Sequence, residues 1–110
     1  MYRASTPRHV FYFDIDPEKY FKSMQITYSQ DGTQVLVKNK DDLTFGTEDS
    51  EGEVQYMAYF QLSQEDTKAF DKTRPFVSLQ VRMLDQHDNV VTSPIVRFRV
   101  QKVLNDEVLS

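Results

Sequence analysis

Phe76-Val77-Ser78-Leu79-Gln80-Val81-Arg82-Met83-Leu84 sets Val77, Leu79, Val81 and Met83 at alternate positions, with Ser78, Gln80 and Arg82 between them. A period of two buries one face of a strand and wets the other. Val96, Phe98 and Val100 alternate with Arg97, Arg99 and Gln101 in the same way. Short strands of this kind joined by polar turns make an antiparallel sandwich or barrel.

Working outward, His9 to Ile15 reads as a first strand, with Phe11, Phe13 and Ile15 on one face and Tyr12 and Asp14 on the other. Asp16 and Pro17 end it and open one helical turn through Lys22, Asp16 as N-cap and Pro17 at the first helical position. Met24 to Gln30 and Thr33 to Asn39 form a hairpin around Asp31-Gly32, a pair that accepts the positive φ such turns require. Leu43 to Gly46 is a short strand, and the acidic stretch Thr47 to Glu53 reads as an exposed loop. Val54 to Leu62 is the next strand, with Val54, Tyr56, Ala58 and Phe60 on one face and the partly apolar Met57 and Tyr59 on the other. Ser63 caps a short helix running to about Phe70, which carries the chain between the sheets. Phe76 to Leu84 and Val90 to Leu104 close the pattern through a hairpin at Asp85 to Asn89, and Pro94 marks an edge, a bulge or a switch between sheets.

The expected fold is therefore all-β, an antiparallel immunoglobulin-like sandwich of about seven strands with one short helix between the sheets. A chain of 110 residues with 39% apolar side chains is one domain with one core. Residues 9–104 form that domain, residues 1–8 a flexible arm and residues 105–110 a tail. Val81, Phe98 and Val100 are expected core residues.

Composition narrows the functional classes. The net charge of −4 repels phosphate backbones, so no nucleic-acid partner is expected. No cysteine is present, which removes disulfides and thiol chemistry and favours an intracellular protein or an assembly that gains stability from its neighbours. Met1 to Arg8 lacks the apolar run of a signal-peptide core, and no stretch approaches the ~18 apolar residues of a membrane span, so no membrane partner is expected.

Catalytic patterns are missing. His9 and His87 are the only histidines, His9 read as a strand-edge residue and His87 as a loop residue. No nucleophile elbow, zinc-binding H-E-x-x-H or phosphate-cradling glycine loop occurs. Glu48 to Glu53 lacks the spacing that wraps calcium. No enzyme activity, cofactor, metal or small-molecule substrate is expected. The informative charges are Arg82, Arg97 and Arg99, outward on neighbouring strands. They form a candidate docking face for an acidic surface, such as the Glu48 to Glu53 stretch of another copy. Met57 and Tyr59 complete the protein-binding candidates.

The chain resembles small proteins of bacteriophages and prophages of gut bacteria. The resemblance runs through Thr6 to Phe11, Ile26 to Gly32, Leu62 to Thr67 and Val103 to Leu109, in order along most of the chain. The stretch Thr47 to Glu53 is longer and more acidic than in that group. The resemblance implies a non-enzymatic virion component, made in the bacterial cytoplasm, that binds other phage structural proteins or copies of itself. A phage-encoded inhibitor of a host protein is the alternative; a carboxylate-dependent glycosidase is a distant third.

Overall fold

The computed structural model describes residues 1–2, 4–71, 73–74, 76–99 and 108–109. It is an all-β sandwich of two antiparallel sheets and eight strands. The smaller sheet has the order β1-β5-β4, from β1 (Arg8–Phe13), β4 (Thr44–Ser50) and β5 (Glu53–Gln61). The larger runs β3-β2-β6, from β2 (Phe21–Gln30), β3 (Thr33–Asn39) and β6 (Phe76–Asp85). β7 (Val90–Thr92) and β8 (Val96–Arg99) share the free side of β6. Read in chain order as B, C, C′, D, E, F and G, this is the B-E-D and C′-C-F-G arrangement of immunoglobulin domains, with no counterpart of strand A among the described residues.

The hairpin turns explain two boundaries. Asp31 and Gly32 take φ of 49° and 79°, and Glu51 and Gly52 take 53° and 82°, so both turns place two successive residues at positive φ. The second turn corrects the expected acidic loop. β4 continues through Thr47, Glu48 and Asp49 to Ser50, because on an edge strand their carboxylates can face water while the backbone pairs with β5. β1 stops at Phe13, short of Ile15, which is 43% exposed. The first helix, α1, is the single turn Pro17–Tyr20, capped by Asp16, and Phe21 already pairs in β2. The second, α2 (Gln64–Lys68), carries a reciprocal capping box between Ser63 and Asp66 and links the two sheets.

At Pro94, the expected last strand breaks. The Ser93 hydroxyl accepts from the Val81 N–H and the Ser93 N–H donates to Val81 O, so the ladder is kept beside a residue with no N–H of its own.

Between the sheets lie Met24, Ile26 and Tyr28 of β2, Val77, Leu79, Val81 and Met83 of β6, and Ala58 and Phe60 of β5, with Leu62 and Phe70 closing one end. Val81 is in the core as expected. Phe98 packs against it but is only partly buried. Val100 lies outside the described residues, as do the continuation of that strand to Leu104 and most of the tail.

The chain has neither tryptophan nor cysteine, and the middle of the sandwich is filled by aromatic rings and one hydrogen bond. Tyr28 is fully buried and meets His9, Phe60, Phe70 and Phe98 at ring separations of 5.7 to 6.4 Å. The residues before β1 lie against the sandwich. Met1 packs on the core and its ammonium donates to Arg99 O, Ser5 O accepts from the Thr67 hydroxyl, and Leu62 N–H donates to Pro7 O.

Candidate protein-binding surface

Strand parity decides which side chains reach the two outer surfaces. On the larger sheet, Arg97 stands opposite Ser78 and Arg99 opposite Phe76, all on the face turned away from the core. Arg82 shares that face beside Gln25 and Thr92, four residues along β6 from Ser78 and thus ~13 Å away. The three arginines therefore share one face, as expected, but only Arg97 and Arg99 are immediate neighbours. With Asp31, Gly32, Ser78 and Phe76 they line a shallow hollow, and Phe76 is 59% exposed within it. Among the described residues, no carboxylate pairs with Arg82, Arg97 or Arg99. Asp31, at the rim, is engaged by Arg74 at 3.5 Å.

Met57 and Tyr59 occupy the opposite outer surface of the molecule. Met57 lies between Tyr12 of β1 and Gly46 of β4, and Tyr59 between Val10 and Thr44. The Met57 side chain crosses Gly46 on the neighbouring strand, where an added Cβ would lie 3.4 Å from it. The Arg8 guanidinium stacks 4.7 Å from the centre of the Tyr59 ring. Both residues are half-buried, and Tyr12 beside them is 53% exposed. The five candidate residues thus form two surfaces on opposite sides of the sandwich.

His9 corrects the reading of an edge histidine. It shares its parity with Phe11 and Phe13, and so turns inward, where Nδ1 lies 2.5 Å from the Tyr28 hydroxyl. That alternation was visible in the sequence. Burial pushes the His9 imidazole below its ordinary value, with the Met1 ammonium adding to the effect. Burial and then the Asp66 charge push the Tyr28 hydroxyl up. Both groups are neutral near pH 7, and Tyr28 O–H donating to Nδ1 leaves no buried hydroxyl hydrogen without an acceptor. His87 is exposed in the loop after β6.

Two carboxylates serve the loops around this core. Burial alone would raise Asp66, but hydrogen bonds from the Ser63 N–H and from Lys38, 3.1 Å away, hold it below the usual range. Asp85 is held low chiefly by the Asn89 N–H, with the His87 N–H also donating, and so shapes the β6–β7 connection. Among the described residues, no three His, Asp or Glu side chains converge as metal ligands would, and no helix is long and apolar enough to cross a membrane.

Comparison of the chain with protein-family models, with curated proteins and with solved structures finds no match in any of the three.

Proposed function

We propose that this protein is a non-enzymatic structural component of a phage particle, which docks the Arg97, Arg99 and Phe76 surface onto an acidic surface of a neighbouring structural protein. The observation that carries this reading is the pair of guanidinium groups, without a carboxylate partner among the described residues, beside an exposed aromatic ring. Arginine and aromatic side chains together are the residues that most often dominate protein interfaces. A guanidinium with no carboxylate partner among the described residues gives a carboxylate of a neighbouring protein a bidentate hydrogen-bonding target. The phage setting rests on the sequence resemblance.

Mass spectrometry of purified particles from the producing host tests the assignment. The reading expects the chain at a fixed copy number per particle, and an Arg97→Glu/Arg99→Glu variant that folds but is left out of particles. Particles that never contain the chain would overturn it.

A further inference from the structure

The two sheets have four edges among the described residues, and three carry features that discourage pairing with another chain. β4 bears Glu48 and Asp49, β3 is irregular against Tyr28 and Ser29 and bears Lys38, and the β7–β8 side is broken at Pro94 and bears Arg97 and Arg99. Charges, bulges and prolines are the usual protection of an open edge. β1 has none of them between His9 and Phe13, and among the described residues its only neighbour in the sheet is β5. The phase of its ladder follows from the Leu62 N–H to Pro7 O bond. Pro7, His9, Phe11 and Phe13 turn their backbone groups to β5, so Arg8, Val10 and Tyr12 present N–H and C=O to the open side.

We infer that β1 is a dimerisation edge, pairing antiparallel with β1 of a second copy to join the two small sheets into one continuous sheet. The occupant is argued from the charges at the two ends of the strand. Only residues of the outward-facing set can form hydrogen-bonded pairs across this edge, and one such register sets Val10 opposite Tyr12 of the second copy. In that register Arg8 falls opposite Asp14 of the second copy, and Asp14 opposite its Arg8, while Phe11 meets its own copy on the two-fold axis. About four main-chain bonds form at Val10 and Tyr12. The Val10, Tyr12, Met57 and Tyr59 surfaces of the two copies become one belt. Arg8 and Asp14 have no ion pair within the chain among the described residues, and the Arg8 guanidinium stacks on Tyr59 on the same outer face. An isologous contact of this kind closes on itself.

This inference deepens the assembly reading and rests on it, but the two fail separately. Sedimentation velocity over a concentration series on the full chain reads the dimer directly. The wild type should dimerise, Arg8→Glu and Asp14→Arg should each weaken association by about tenfold or more, and the double reversal should restore it. Val10→Pro, which deletes an outward N–H without touching the β5 ladder, should abolish the dimer with the fold intact by circular dichroism. Asp14→Arg lies on an exposed bend, and its fold is not at risk. A wild type that stays monomeric at millimolar concentration overturns the inference. So does a dimer indifferent to both reversals, or one lost in Arg97→Glu/Arg99→Glu but kept in Asp14→Arg. A monomer still incorporated into particles through its arginine surface overturns the β1 pairing alone and leaves the assembly role standing.

Discussion

The Tyr28 hydroxyl on β2 spans the interior to His9 Nδ1 on β1 at 2.5 Å, a bond that ties one sheet of the sandwich to the other. It is a polar link inside an aromatic cluster, so either partner alone leaves the other without its bond. Tyr28→Phe is expected to cost about 1 kcal/mol, and His9→Leu about 1–3 kcal/mol because a buried hydroxyl loses its acceptor. The double variant should cost less than the sum. A double-mutant cycle by urea denaturation checks this coupling.

The same pair sets an acid sensitivity. His9 is lowered in the folded chain, so the unfolded chain binds the extra proton first, and stability falls as pH drops from the ordinary value of 6.5 toward the lower folded value. Asp66 and Asp85 are also lowered, so their contribution is complete above the ordinary 3.8 and is lost as pH falls through their folded values. Thermal midpoints between pH 7.5 and pH 3 should decline in two stages. In His9→Gln the upper stage should vanish and the lower one remain.

Gln30 is 2% exposed and holds the segment between α2 and β6. Its Nε2 donates to Asp71 O and Arg74 O at 3.1 and 3.0 Å, and its Oε1 accepts from the Asp71 N–H at 2.7 Å. Gln30→Ala should cost about 2–3 kcal/mol, because backbone groups lose partners that water cannot readily replace. Gln30→Glu keeps the acceptor but sets a buried carboxylate oxygen against the Asp71 and Arg74 carbonyls, and should cost at least as much as Gln30→Ala in chemical denaturation near pH 7.

Phe98 is half-covered, so its truncation should cost less than the ~3–5 kcal/mol of a fully buried phenylalanine. About 2 kcal/mol is expected for Phe98→Ala. A loss at the top of the full-burial range would mean that the ring is enclosed more tightly than its exposure indicates.

Strand faces were legible wherever alternation was clean. Val77 to Met83 and Met24 to Tyr28 went inward as their parity demanded, and Asp31-Gly32 marked its turn through backbone chemistry alone. Thr47 to Ser50 misled because charge opposes burial but not strand pairing, and on an edge strand the side chains need not be buried. His9 misled because its residue type outweighed its position. The separation of Met57 and Tyr59 from the arginines was beyond sequence reasoning, since which sheet a strand joins depends on long-range pairing.

The break at Pro94 has a dynamic consequence. β6 holds its outer neighbours as two short ladders, so the side opens in two steps, each with its own opening free energy. Release of β8 uncovers Val77 and frees the Met1 ammonium from Arg99, while β7 stays bound to Arg82, Met83 and Leu84. Amide exchange should then show Val96 to Arg99 opening as a unit separate from Val90 to Thr92. The strand expected to open on its own is thus the one that bears Arg97 and Arg99, so its exchange rate reports how firmly that surface is presented.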